Sequence, residues 1–358
     1  MSSFIQRMNR FTYNALPGRI IFGAGILTAL PAEVERLGCQ RVMVLTTPQQ
    51  KEQGEMIAAL LEQRCVASFN DASMHVPVEV VDQALEMART NQVDCVVGIG
   101  GGSTTGLGKA IALRSTMPII AIPTTYAGSE MTPIWGLTED GLKTTGRDPR
   151  VLPSVVIYDP DLTLSLPGFI AGPSGINAIA HCVEALYAAD ANPITSLIAE
   201  EGIRVLSTSL PAVINAPEDK QARSDALYGA YLAGTSLAAV GMSLHHKLCH
   251  TLGGSFNLPH AEVHTIILPY ATRYNAQAAP EAMARICRAM GSDNAAQGLY
   301  DLNKAIGAKL ALKDIGFKET DIDKAVGIAC QNPYANPEPI SGEGIERLLR
   351  DAYAGNTP

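Results

Sequence analysis

Charge is scarce in this sequence. Of 358 residues, 17% are Asp, Glu, Lys or Arg, where an ordinary soluble domain carries about a quarter. No block of Lys or Arg stands out and the formal net charge is −8, which argues against nucleic-acid binding. An acidic chain that takes an anionic ligand must concentrate positive potential locally. No window reaches the roughly 18 apolar residues of a membrane span. The opening stretch, MSSFIQRMNRFTYN, has no apolar core of signal-peptide length. The seven cysteines form no CxxC pair and their number is odd, a pattern of reduced thiols in a cytoplasmic protein. The expectation is a soluble cytoplasmic protein that meets neither nucleic acid nor membrane.

Apolar residues, by contrast, make up 47% of the chain, ample for packed interiors, and the length suits two domains. Low charge with much Ala, Gly, Val and Ile points to buried α/β architecture and to oligomer contacts. Residues 41–45 (RVMVL), 66–69, 95–99 (CVVGI) and 118–122 (PIIAI) read as short buried strands. Helical spacing separates them at 50–63, 77–91 and 104–113. This alternation predicts a parallel sheet with helices on both faces. Residues 155–158 (VVIY) are expected to close the sheet, after a polar, Gly-containing stretch that suits a hairpin. Beyond Asp159 the strand-like runs vanish. Helices are predicted at 176–188, 194–206, 224–240, 243–252, 281–289, 295–312, 320–330 and 344–353. The expected division is an α/β nucleotide-binding domain over 1–160 and an all-helical substrate and catalytic domain over 161–358.

Gly100, Gly101, Gly102 and Ser103 follow directly on an apolar strand and open a helix. Backbone amides there can approach a phosphate only where side chains are absent, and the helix N-terminus adds partial positive charge. Three consecutive glycines exceed what a tight turn needs, so a pyrophosphate cradle is expected. A second candidate, PTTYAGSE, stands at the carboxyl end of the next strand, where ligands of open parallel sheets bind. Thr124, Thr125 and Ser129 offer hydroxyls there, although such residues also cap their own turns. The pair in Phe22-Gly-Ala-Gly lacks the third glycine of a dinucleotide fingerprint and is weak. Thr46, at the end of the 41–45 strand, joins the cofactor-binding candidates. No acid stands there to hold a ribose 2′-hydroxyl, so NADH and NADPH both remain open.

Six of the seven histidines lie between 181 and 264. His181 is four residues after Asn177, and His250 four after His246, so each pair shares a helix face. His260 follows Pro259, in a loop or at a helix start. Side chains from three segments can thus converge on one pocket. Such spacing suits a metal site, yet a divalent-metal oxidoreductase usually adds a carboxylate, and the partner of His181 is the neutral Asn177. The alternative is a metal-free pocket whose imidazoles donate protons and contact anions. His245, Lys247 and His264 add positive character nearby. Cys249 reads as a buried thiol between helices rather than a nucleophile.

Taken in order, GGGS from Gly100, PTTYAGSE from Pro123, GINAIAHCVEA from Gly175, HKLCHTLGG from His246 and then Pro259-His resemble the iron-containing alcohol dehydrogenase superfamily over essentially the whole chain. PTTYAGSEMTPIWG and HHKLCH are most similar to its maleylacetate reductase branch. The resemblance implies an N-terminal nucleotide-binding domain, an all-helical C-terminal domain and homodimers. It implies reduction of the maleylacetate carbon–carbon double bond to 3-oxoadipate, a step in the catabolism of aromatic compounds, with NADH or NADPH as cofactor and a small dicarboxylate as substrate. Metal-dependent relatives use one Asp and three His as ligands. The matching positions here are Asn177, His181, His246 and His260, so no metal is expected. The relatives also carry an Asp where this chain has Gly106.

On that footing the histidines take over the ion's task of stabilising an enolate. His250 is the first candidate for general acid, His246 and His181 make electrophilic or carboxylate contacts, and His260 completes the set. Lys247, His245 and Asn177 are the substrate-binding candidates, with Lys143 and Arg147 behind them. The alternatives are a metal-dependent alcohol dehydrogenase of the same fold and, more remotely, a nucleotide-binding protein without catalysis.

Overall fold

The computed structural model describes residues 11–16 and 18–358; the first ten residues of the expected nucleotide-binding domain lie outside the described residues. The chain divides into two compact units, Leu16–Leu166 and Pro167–Pro358, and the described residues 11–15, expected in the first, cluster with the second.

The unit Leu16–Leu166 carries a six-stranded sheet. Its elements in chain order are β1 (Arg19–Phe22), α1 (Leu30–Arg36), β2 (Val42–Leu45), α2 (Lys51–Leu61), β3 (Cys65–Phe69), α3 (Val78–Thr90), β4 (Cys95–Gly100), α4 (Gly102–Ser115) and β5 (Ile119–Pro123). A hairpin, β6 (Ile134–Glu139) and β7 (Leu142–Arg147), and then β8 (Val155–Tyr158) complete it. The strand order is β1-β8-β5-β4-β2-β3, and every pair in it is parallel.

Every residue of β2, β4, β5 and β8 is buried, because helices cover both faces. The period of two is visible in the cores. Val42, Val44, Val97 and Ile99 pack with Leu30, Val34, Ile57 and Leu61 of α1 and α2. Met43, Leu45 and Val96 pack on the other side with Val81, Leu85, Leu107 and Ile111 of α3 and α4.

The parallel sheet and the hairpin agree with expectation, and two details do not. β8 does not close the sheet; it lies inside it, between β5 and β1. β1 itself was not anticipated, since RIIF is only partly buried and gives no long apolar run. What holds β1 in place is Asp159, just past β8. Its buried carboxylate accepts hydrogen bonds from the amides of Gly25 and Leu27, each at 3.0 Å, and from that of Asp161 at 3.1 Å. The glycines after β1 therefore form a nest filled by the chain's own carboxylate, which explains why this pair is no nucleotide fingerprint.

The unit Pro167–Pro358 is helical: α5 (Gly168–Tyr187), α6 (Pro193–Asn215), α7 (Lys220–Ala239), α8 (Leu244–Phe256), α9 (His260–Asn275), α10 (Pro280–Met290), α11 (Ala295–Ala305), α12 (Ile322–Ala329) and α13 (Gly342–Ala354). Small residues let α5, α6 and α7 approach closely. A Cβ at Gly202 would stand 2.7 Å from Cys182 Sγ, and one at Gly229 2.6 Å from Leu206 Cγ. α5 starts eight residues before the predicted 176–188 and runs through Pro173. α9 was not predicted and contains Pro269. The predicted 295–312 helix stops at Ala305, before Gly307 in the left-handed region. Among the described residues no single helix is long and apolar enough to cross a membrane.

Asp159→Ala would leave the buried Leu27 amide without its acceptor and open the turn at the exposed Gly25. The expected cost is about 2–4 kcal/mol, read as a lower midpoint in urea unfolding followed by circular dichroism.

Candidate active site

In the sheet unit the three glycines after β4 do different things. Gly100 has φ +150°, and a Cβ there would lie 2.5 Å from Thr104 Oγ1 and 2.6 Å from Gln50 Oε1. A Cβ at Gly101 would meet Thr125 Cγ2 at 3.0 Å. Gly102, the first residue of α4, is exposed and has nothing within 4 Å of its Cβ position. Packing explains the first two glycines. The third leaves the helix N-terminus open, and this is the cradle a phosphate fits.

The hydroxyl candidates divide. Thr46 is fully buried and its Oγ1 donates to Asn70 Oδ1 at 2.8 Å. Thr124 is buried and its Oγ1 accepts from Gln50 Nε2 at 2.9 Å. Ser129 Oγ accepts from Lys109 Nζ at 3.2 Å. Each of these three hydroxyls makes one bond within the chain, and those of Thr124 and Ser129 accept in it, which leaves their O–H donors for a ligand. Ser103 and Thr125 remain half-buried beside Gly101 and Gly102.

Lys109 had no place among the candidates, yet it builds this region. It is fully buried, and Nζ donates to the carbonyls of Ser129 (2.6 Å) and Ile134 (2.8 Å) and to Thr132 Oγ1 (3.0 Å). Burial pushes it down to about 7, against the pull of the nearby Glu130 charge. Glu130, also buried, accepts from the Tyr158 hydroxyl at 2.9 Å.

In the helical unit the imidazoles do come together. His181 on α5 stacks on His246 of α8, ring centroids 5.0 Å apart. His246 lies 6.1 Å from His250 and 4.9 Å from His264, and His264 lies 4.4 Å from His260. His260 is the first residue of α9 rather than part of a loop. His181, His245, His246 and His264 are buried, while His250 and His260 are exposed. Burial first, then the neighbouring imidazoles, pushes His181, His245 and His264 well below the ordinary imidazole range. His246 is lowered by the same causes. Among the described residues, Asn177 Oδ1, His181 Nδ1 and His246 Nε2 are buried without a hydrogen-bond partner.

His245 is fully buried, with Nε2 3.0 Å from His264 Nδ1 and 3.5 Å from Cys249 Sγ, while His245 Nδ1 and His264 Nε2 are, among the described residues, buried without a hydrogen-bond partner. Burial, with Glu184 nearby, raises the Cys249 thiol well above its usual range, in keeping with a structural thiol. Lys247 is half-buried, with Nζ 5.8 Å from the centre of the Tyr334 ring. Lys143 and Arg147 lie on β7 of the sheet unit.

Tyr334 and Asn336 lie outside the motifs, and Glu184, inside one of them, had been given no role. Tyr334, in the Pro- and Asn-rich loop before α13, places its hydroxyl 3.1 Å from His250 Nδ1. Asn336 anchors that loop by exchanging hydrogen bonds with Asn275. Glu184 on α5 is fully buried. Its Oε2 accepts from the Ser243 amide (2.8 Å) and lies 2.7 Å from His246 Nδ1, while Oε1 accepts from the His245 amide (2.7 Å). In the sequence Glu184 is the one acid of this helix, one turn beyond His181 and within the GINAIAHCVEA motif.

The profile of the iron-containing alcohol dehydrogenase family matches residues 17–160. Its C-terminal counterpart matches residues 172–353. A maleylacetate reductase of Sphingobium indicum is 54% identical over 349 residues, covering 98% of this chain and 99% of the relative. The crystal structure of maleylacetate reductase from Agrobacterium tumefaciens is 52% identical, with a TM-score of 0.96 over 98% of this chain and 100% of its own. The sulfoacetaldehyde reductase of Bifidobacterium kashiwanohense, solved in complex with NAD+, is 25% identical, with a TM-score of 0.89 over 98% of this chain and all of its own.

The chain belongs to the iron-containing alcohol dehydrogenase family. Within it, the chain falls in the maleylacetate reductase branch. The family name implies iron, and the donor set tests that implication. Asn177, His181, His246 and His260 offer three imidazoles and a neutral carboxamide, with no negative ligand. The carboxylate in contact with this cluster, Glu184, already serves two amides and His246 Nδ1. These residues do not make the Asp-and-three-His iron site. Gly106 departs for a packing reason as well: a Cβ there would stand 2.7 Å from Val76 Cγ2, so an Asp requires Val76 to move.

Gly100→Val is expected to destabilise the fold by about 2–4 kcal/mol through its positive φ and its clashes. Gly102→Val should leave the melting temperature nearly unchanged and weaken binding of a diphosphate-bearing nucleotide such as ADP-ribose by about tenfold or more, measured by calorimetry.

Proposed function

We propose that the chain reduces the carbon–carbon double bond of maleylacetate to give 3-oxoadipate, with a nicotinamide nucleotide as reductant, in the breakdown of aromatic compounds. The observation that carries this reading is the 54% identity to a maleylacetate reductase over almost the whole of both chains. The histidine cluster supports it. When bound, the nucleotide supplies a hydride to the alkene carbon β to the ketone. Gly102, Ser103 and the N-terminus of α4 are the groups suited to its pyrophosphate. No acid stands at the end of β2, where Thr46 turns inward to Asn70, so NADH and NADPH are both expected to serve.

Negative charge develops on the ketone oxygen as an enolate, and preorganised donors around that oxygen lower the barrier. His250 is the proton donor in this reading. It is exposed, so protons reach it from solvent, and its Nδ1 is tied to the Tyr334 hydroxyl. His260 and Lys247 suit the substrate carboxylates. His181 and His246, kept neutral by burial, shape the pocket behind them. The reaction is read as metal-free, because Asn177 stands where the metal-dependent relatives carry their one anionic ligand.

Purified protein is expected to oxidise NADH with maleylacetate and not with a panel of aldehydes and simple ketones, at a rate that chelator leaves unchanged. Loss of activity with chelator, restored by iron or zinc, would instead favour a metal-dependent alcohol dehydrogenase. His250→Ala is expected to lower kcat at saturating maleylacetate by about 10²–10⁴-fold; near-normal kcat would remove His250 as the acid.

A further inference from the structure

Ser243 stands at the N-cap of α8 but makes no side-chain capping bond. The cap comes from another helix: Glu184 of α5 takes the Ser243 and His245 amides on its two oxygens, and Oε2 also meets His246 Nδ1. His246 directly follows one of the two amides that Glu184 holds, so backbone and ring are fixed by the same group. Among the described residues, the far nitrogen of that ring, Nε2, is buried without a partner, as is the nearby His181 Nδ1.

We propose that Glu184 is the positioning residue of the active site: it holds the start of α8 and the His246 ring in one orientation, with the proton on Nδ1. A carboxylate can do this because it only accepts. Its two oxygens carry about four lone-pair sites, enough for two amides and one imidazole N–H. With Nδ1 as donor, Nε2 faces the cluster as the ring's other functional nitrogen, and His181 stacks on a ring that cannot turn. The same arrangement leaves the acid role to His250, whose Nδ1 meets the Tyr334 hydroxyl instead. The inference rests on the reading of this cluster as the reducing site. Glu184 acts through His246 and is not itself a catalytic residue.

A glutamine at 184 keeps the size but has one acceptor oxygen and an NH₂ donor, so one of the three N–H groups would face another donor. Two measurements test the proposal on the full-length protein. The first is nitrogen-15 NMR of the histidine rings, with His246→Asn used to assign the His246 signal. The wild type should carry a proton on Nδ1, and in Glu184→Gln the Nδ1 signal should shift, because the charged acceptor of that proton is gone. The second is steady-state kinetics: Glu184→Gln should lose about 10–100-fold in kcat, with the dissociation constant for NADH unchanged. A wild-type ring without a proton on Nδ1 overturns the proposal, and so does an unchanged ring signal in Glu184→Gln or a wild-type kcat in that variant. If Glu184→Gln does not fold, the wild-type ring signal decides alone. The ring measurement needs no substrate, so failure of the maleylacetate reading appears only in the turnover assay and is told apart from failure of this one.

Discussion

The helical unit is organised around a carboxylate with no access to water. Transferring Glu184 into the interior is costly unless its oxygens are fully engaged. They are, by two amides and an imidazole, at the end of a helix whose dipole favours negative charge. Burial still raises Glu184, to about 7, as the partial offset by those bonds requires. The consequence is rigidity where it matters. The first turn of α8 cannot fray, because its amides are held from α5. The rings of His246 and its neighbours inherit that fixity, and the buried pair of His245 and His264 fills the space behind them.

The molecule uses the same device three times, with different outcomes. At the turn after β1 the amides of Gly25 and Leu27 close on Asp159. At the start of α8 the amides of Ser243 and His245 close on Glu184. At the start of α4 no side chain occupies the space at Gly102. Two of these amide clusters are satisfied internally and are structural. The third is built alike and faces outward, which is why the proposed phosphate site falls on this glycine run and not on the earlier glycine pair.

Residues that act through periodicity were legible from the chain alone. The four buried strands announced themselves as Val- and Ile-rich runs, and the i,i+4 histidines as a common face. Residues that act through tertiary contact were not legible. Glu184, Lys109 and Tyr334 are single polar groups whose partners lie 20 to 84 positions away, so no local pattern marks them. β1 is short and half-exposed, and thus carries little hydrophobic signal. Helix α9 contains Pro269, a residue that reads as a breaker, yet packing of Ile266, Ile267 and Tyr270 into the core outweighs the lost hydrogen bond. The bonds that Thr46, Thr124 and Ser129 make within the chain were equally hidden, since their partners Asn70, Gln50 and Lys109 lie 20 to 74 positions away.

The pairing of β1 with β8 also sets an order of events in time. Gly25 and Asp159 are 134 positions apart, so the first strand to leave a ribosome finds its partner only when the last strand of the sheet emerges. At roughly 5–20 residues per second, that delay is on the order of ten seconds, during which β2 to β5 can assemble among themselves. The sheet is therefore expected to grow from its β3 side, with β8 added next to β5 and β1 last, at the far edge. A four-residue strand with few buried side chains suits that wait, since it offers little sticky edge to other nascent chains.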